Sequence, residues 1–262
     1  DYVDITHDVY KWKDPKIRTK GKYKAGVKTC RFAQPPDGGK SIIPSILRQL
    51  LKARKDTRKK QKNETDEFKW GVLEGQQLSY KITANSVYGS IGASTSSICM
   101  KNVAASTTAI GRSLLELAQE KTLEKFAGAE IVYGDTDSIF INFNPCDNNG
   151  IPLKDKDGLQ KAIDMGVQAE EYIQQFLKAP HRLEYEKTFY PFILFSKKRY
   201  IGYKFEHDVN KYTETSMGIV TKRRDNAKIV KYVYKRVMDC LLKEKNLEKS
   251  IKTLQEDLRE LL

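Results

Sequence analysis

Apolar and polar positions along the chain follow three different rhythms. Over residues 1–40 no sustained period is legible. Lys13 to Lys28 is basic and poor in aliphatic side chains, and Gln34-Pro35-Pro36-Asp37-Gly38-Gly39 is a cluster of turn formers, so this stretch is expected to be irregular. Ile43, Leu47, Leu50 and Leu51 then recur at helical spacing. With Ser41 placed to cap and Pro44 suited to the first turn, they predict a helix over 41–62. After a polar turn from Asn63 to Glu67, a second helix is expected from about Phe68 to Tyr88, stopping at Gly89. A small-residue loop, Gly92 to Ser97, precedes a third helix over 103–126 with Ile110, Leu114, Leu117 and Ala118 inward.

The period then shortens. Glu130-Ile131-Val132-Tyr133, a Gly-Asp-Thr-Asp turn and Ser138-Ile139-Phe140-Ile141 predict a β-hairpin. A loop over 144–158 leads to an amphipathic helix over 159–178, and a second strand pair is expected over roughly 183–206. Helices from about 225 to 262 close the chain, with Leu241, Leu247, Ile251, Leu254 and Leu258 as apolar positions. No internal repeat is present. The expectation is an α+β fold with two antiparallel strand units and helices between them.

Length and composition, 262 residues and 39% hydrophobic, allow one or two packed units. No apolar run reaches 18 residues, which excludes a membrane-spanning helix from the reading, and the opening Asp1-Tyr2-Val3-Asp4 carries no secretory pattern and reads as the interior of a longer protein. Cys30, Cys99, Cys146 and Cys240 lie far apart without a C-x-x-C pair. Reduced thiols in an intracellular, non-secreted protein are therefore expected, rather than zinc or disulfides. Net charge is +13, and its placement adds to the picture: residues 1–70 carry 19 Lys/Arg against 9 Asp/Glu, and residues 187–245 carry 15 against 6. Two basic blocks flank a mildly acidic one, as polyanion binding would require, although a solvated basic surface has the same composition.

Four stretches carry candidate chemistry. On the 41–62 helix, Arg54 and Arg58 continue the face of Ile43, Leu47 and Leu50; guanidinium forks at i and i+4 suit a polyphosphate, while a solvated cationic tail is the alternative. Lys81, Asn85 and Tyr88, at i, i+4 and i+7, share a face and offer a phosphate donor, a polar sorter and a stacking ring, with Gly89 allowing close approach; a polar outer face with a glycine cap is the alternative. Asp135 and Asp137, two apart at a tight turn, repel unless cations are present, so oxygen-liganded Mg²⁺ is expected; as i and i+2 of a strand they would share a face, and an ordinary Asx turn is the alternative. Ser196-Lys197-Lys198-Arg199-Tyr200-Ile201-Gly202 places three cations on an expected strand, with Tyr200 beside Lys198. It suits a duplex backbone or, alternatively, a charged sheet edge. Arg223-Arg224-Asp225-Asn226 adds a further cationic cluster.

In this order the stretches resemble family B DNA-directed DNA polymerases. Lys81 to Gly89 is similar to the fingers motif K-x-x-x-N-S-x-Y-G, Tyr133-Gly134-Asp135-Thr136-Asp137-Ser138 to the palm signature Y-x-D-T-D-S, and Lys197-Lys198-Arg199-Tyr200 to the primer-binding K-K-R-Y run. Ile42-Ile43-Pro44 with Arg54 and Arg58 resembles the first fingers helix, and Arg223 to Asn226 a segment at the thumb's base. The wording around Asn102 to Arg112 and Tyr185 to Phe192 is most like large double-stranded DNA viruses of eukaryotes.

The resemblance implies a partial right hand: palm or linker over 1–40, fingers helices over 41–89, palm over 90–215 and the start of a thumb over 216–262. It also implies roles. Arg54, Arg58 and Lys81 would hold the dNTP triphosphate, with Arg58 standing where many relatives have Lys, and Asn85 and Tyr88 would shape the base-pair pocket. Asp137 would bind two Mg²⁺ ions, Asp135 would act through water or further out, and Glu186 matches a carboxylate near the metals. Thr136, Lys197, Lys198, Arg199, Tyr200, Arg223 and Arg224 would face primer–template DNA, and a processivity factor is a further partner of such enzymes. The family's other metal-binding carboxylate lies in a D-x-x-S-L-Y-P-S stretch, expected by family spacing just before Asp1, and the proofreading nuclease is likewise outside, so the segment alone is expected to be inactive. Two rivals stand beside this. Reverse transcriptases and viral RNA polymerases usually place adjacent aspartates in the hairpin, whereas Thr136 separates these two; a non-catalytic clamp descended from a polymerase would not need Lys81, Tyr88 and Asp137.

Overall fold

A computed structural model describes residues 2–14, 16–17 and 21–261. Among them are six helices and three small antiparallel sheets, an α+β fold as the sequence predicts. The chain divides into two compact units, residues 1–113 and 114–262.

The first unit opens with a ribbon, not an irregular stretch. Strands β1 (Tyr2–Trp12) and β2 (Lys22–Ala33) pair antiparallel from Tyr2↔Ala33 to Trp12↔Lys22, with a register shift between Val9 and Tyr10. The period of two was present in Ile5, His7 and Val9, all half-buried, but the many lysines and an arginine obscured it. Two of those cations are answered by carboxylates across the ribbon: Arg31 forks Asp4 through two bonds of 2.8 Å, and Lys24 reaches Asp8 at 2.7 Å. Part of the basic Lys13–Lys28 stretch lies outside the described residues.

Helices α1 (Ile42–Lys62) and α2 (Glu67–Gly92) form an antiparallel-type hairpin in sequence, joined by a four-residue turn. Ser41 holds the N-cap position of α1 without a side-chain cap bond, whereas Asp66 caps α2 by accepting the Lys69 N–H at 2.9 Å. α2 does not stop at Gly89. Ile91, 4% exposed, packs inward and gives the last turn a reason to form, and the helix closes where the Ala93 N–H reaches the Gly89 carbonyl. α3 (Lys101–Lys125) begins two residues earlier than predicted, and the unit boundary falls within it.

In the second unit β3 (Glu130–Asp135) and β4 (Ser138–Asn142) form the predicted hairpin. α4 (Asp155–Gln174) starts four residues early, with Asp155 and Asp157 in its positive first turn. The expected strand pair over 183–206 is a three-stranded sheet in the order β5 (Thr188–Ser196), β6 (Arg199–Phe205), β7 (Tyr212–Met217). β7 reads Tyr-Thr-Glu-Thr-Ser-Met, too polar to announce itself, and pairs only as an edge strand along β6. A short 3-10 turn (Val220–Lys222) leads to α5 (Lys228–Glu244) and α6 (Leu247–Leu261). α6 turns Leu247, Ile251, Leu254 and Leu258 outward.

α4 stands between two cores. Its Leu159 and Ile163 pack with Ile201, Tyr203 and Phe205 of β6 and with Met238 and Leu242 of α5. One and a half turns on, its Ala169 and Ile173 pack with Ala118, Phe126 and Phe143 around the β3–β4 hairpin. This double anchorage fixes the hairpin's stem and the three-stranded sheet to one helix.

Candidate active site

The two units hold the predicted site residues in separate groups. In the first, α1 and α2 border an open pocket of about 350 Å³ lined by Arg54, Arg58, Trp70, Glu74 and Gln77 among others. Arg54 is half-buried and its Nε donates to Gln77 Oε1 at 3.1 Å; buried Gln77 donates to Glu74 Oε1 at 3.0 Å, and Gln61 donates to Glu74 Oε2 at 2.7 Å. A guanidinium held through Nε keeps its two terminal nitrogens for an anion. The helical spacing that placed Arg54 and Arg58 together is borne by the fold, but Gln77 and Glu74 escaped sequence reasoning. Their signal was slight: a glutamine on the buried stripe that continues to Ala84 and Ile91. Lys81, Asn85 and Tyr88 are all exposed and flank that stripe on α2. Gly89, within the helix, has open space where a Cβ would sit and makes no turn.

In the second unit the β3–β4 bend opens on a cleft of about 1000 Å³, lined by Asp135, Asp137, Phe140, Glu186, Phe189 and Tyr200 among others. The carboxylates are not two positions of one strand face. Asp135 ends β3, while Thr136 (φ 56°) and Asp137 make the turn, with the Asp137 N–H donating to the Asp135 carbonyl at 2.6 Å. Both side chains nevertheless reach the cleft. Their environments differ: Asp137 is exposed, whereas Asp135 has a side chain only 17% exposed, bound by the Lys198 ammonium and by the Thr136 hydroxyl at 3.1 Å. The Lys198 bond holds the Asp135 carboxyl below its ordinary value and raises the Lys198 ammonium in turn.

Lys197 and Lys198 do not lie on a strand. They form the turn between β5 and β6, with Lys198 left-handed at φ 62°, so the expected alternation of cations over two strand faces does not occur. The Lys198 N–H donates to the Tyr133 hydroxyl at 2.8 Å, tying this turn to β3. Tyr200 faces inward, 8% exposed, in a cluster with Phe140, Phe189 and Phe192 at ring separations of 5.5–5.8 Å. Burial first, then the charges of Glu186 and Asp135, push its phenol up. Arg199, Lys197 and Arg224 are exposed; Arg223 forks the neighbouring Asp225 at 3.0 and 2.6 Å.

Glu186 is exposed on the same cleft and pairs with Lys187 at 2.6 Å. Among the described residues no three His, Cys, Asp or Glu side chains gather closely enough to hold an ion. The donor chemistry still suits a hard cation, since Asp137 offers carboxylate oxygens at an open bend, but such an ion would need more ligands than these residues supply. Among the described residues no helix is long and apolar enough to cross a membrane, and the four cysteines are unpaired.

An acidic bend with a lysine at its base stands beside a largely apolar cleft floored by aromatic rings. Comparison with known proteins narrows the class. The family model described as DNA polymerase family B matches residues 6–262. The DNA polymerase of Pyramimonas orientalis virus is 44% identical over 306 aligned positions covering 100% of this chain, and that of Phaeocystis pouchetii virus 42% identical over 73%. The DNA polymerase delta catalytic subunit of Candida albicans is 34% identical over 85%. The chain spans 25%, 20% and 21% of the lengths of these three proteins. The chain belongs to DNA polymerase family B.

Proposed function

We propose that this chain supplies the nucleotide-gripping and primer-end portion of an enzyme that carries out template-directed DNA synthesis. In the reaction the primer 3′-oxygen attacks the α-phosphorus of a dNTP, the bond to the bridging oxygen breaks, and pyrophosphate leaves. α1 and α2, with residues 41–89, form the fingers; residues 90–215 the palm; residues 216–262 the start of the thumb; residues 1–40 a palm or linker segment. The observation that carries the reading is the acidic bend: Asp137 open to the cleft, Asp135 beside it and held by Lys198.

Arg54, held through its Nε by Gln77, and the exposed Arg58 and Lys81 bind the triphosphate. Asn85 and Tyr88 border the nascent base pair. Asp137, with Glu186 on the same cleft and Asp135 acting at one remove, would hold two Mg²⁺ ions, which when bound lower the primer hydroxyl's pKa and neutralise charge on the leaving group. Thr136, Lys197, Lys198, Arg199, Arg223 and Arg224 meet the primer–template backbone, and Tyr200 supports that contact from beneath. A processivity factor and an intracellular site of action complete the proposal.

The test is primer extension by the intact polymerase carrying this segment. Extension that requires a DNA template and dNTPs with Mg²⁺ is expected; equal or better extension on an RNA template, or none on DNA, would overturn the reading.

A further inference from the structure

Gly218 follows the last residue of β7 and adopts φ +60°. A Cβ built on it would lie 2.2 Å from the Lys198 carbonyl oxygen and 3.3 Å from both Lys198 C and Arg199 Cγ. The first of these is a backbone atom, so no side-chain rotation relieves the overlap. The same Lys198 is itself left-handed, and both of its other polar ends are committed: its N–H to the Tyr133 hydroxyl, its ammonium to Asp135. Met217 and Tyr200 are register partners, which fixes the height of Gly218 along β6.

We propose that Gly218 is a positioning residue for the acidic bend: lacking a side chain, it lets the Lys198 carbonyl seat against the end of β7 and so sets the turn that delivers Lys198 to Tyr133 and Asp135. The claim rests on the reading of that bend as catalytic. Gly218 touches neither carboxylate. Its effect passes through one backbone seat, then through one hydrogen bond and one ion pair to β3. A side chain there must lift the β5–β6 turn, and the lift is transmitted to Asp135 and, through the hairpin, to Asp137. A second cost acts in the same direction, because φ +60° is a region L side chains rarely adopt.

The test uses the intact polymerase and single-turnover nucleotide incorporation. Gly218→Ala is expected to slow incorporation at saturating dNTP by about tenfold or more, with the apparent dNTP affinity unchanged, because displacing reacting groups by a fraction of an ångström costs rate while the triphosphate contacts lie elsewhere. Ile219→Ala serves as the control for stability alone: Ile219 is 1% exposed in the core between β6 and α5, and its truncation lowers Tm without reaching the turn. A Gly218→Ala enzyme at wild-type rate, or an Ile219→Ala enzyme slowed as much, overturns the proposal. Should Gly218→Ala fail to fold, Tyr133→Phe decides, since it removes the phenol that accepts the Lys198 N–H and also bonds Asp135; slowed incorporation is expected, and an unchanged rate refutes the positioning claim. Failure of the underlying reading is separable. Incorporation by Asp137→Ala would sink the bend as a catalytic site, whereas an inactive Asp137→Ala beside a fully active Gly218→Ala sinks only Gly218's role.

Discussion

Asp135 and Asp137 are two positions apart and live in different surroundings. Asp135 is tied to Lys198 and carries a depressed carboxyl; Asp137 stands open on the cleft. A depressed folded-state carboxyl contributes stability above its ordinary value of 3.8 and loses that contribution as pH falls through the folded value. The Tm difference between the wild type and Lys198→Met is therefore expected to be present at pH 7 and to shrink as pH falls below about 4. Thermal unfolding at a series of pH values checks this, and a difference that persists unchanged at about pH 2.5, beneath the ordinary carboxyl range, would show that the ion pair is not its source. At this scale the sequence was legible for residues whose chemistry travels with their type. Asp135, Asp137, Arg54 and Arg58 were picked out as charges in company. Gln77, the Tyr133 hydroxyl and Gly218 were not, because their role is set by what lies opposite them in space.

Among elements, those with a strong period of 3.6 were found and those whose period was masked were not. α1, α3, α5 and the β3–β4 hairpin stand close to their expected places. β1 and β2 were lost under their lysines, β7 under its hydroxyls, and the end of α2 under the habit of reading glycine as a stop. The turn at Lys197–Lys198 was lost for another reason: Phe195 and Tyr200 on either side look like one strand continuing, and only the pairing of Ser196 with Arg199 reveals the reversal. α4 is the element on which the site depends most, since it buries Ile163 against the sheet and Ile173 against the hairpin, at 2% and 1% exposure. Ile173→Ala is expected to cost about 2–5 kcal/mol of stability by removing packed methyl groups. Chemical denaturation of the protein measures it; a loss below about 1 kcal/mol, the level of a surface change, would mean that the hairpin is not anchored there.

Across the whole molecule, positive charge is gathered in two blocks. The basic blocks over 1–70 and 187–245 fall one in each compact unit, so each unit brings its own cations. Exposed Lys197 and Arg224 belong to the second block. If they meet phosphates, Lys197→Ala and Arg224→Ala should each reduce the slope of log K for primer–template binding against log salt by about 0.9, with little sequence dependence. Arg223, already forked to Asp225, should give a smaller change. Salt titrations of the intact enzyme on a fluorescent primer–template distinguish these, and unaltered slopes in all three variants would remove this surface from the DNA path. Family membership was legible from the order of motifs along the chain. No single motif defines it, and the comparisons over residues 6–262 bear it out.

On the proposed reading, the open carboxylate of the β3–β4 bend drives nucleotide transfer. Single-turnover incorporation by the intact polymerase with Asp137→Ala, measured beside its primer–template affinity, is the decisive experiment. Incorporation is expected to fall by about a thousandfold or more while DNA affinity stays near wild type, because a group that acts in the transition state is lost and the basic surface is not. An Asp137→Ala enzyme that incorporates nucleotides at the wild-type rate would rule this carboxylate out of the chemistry.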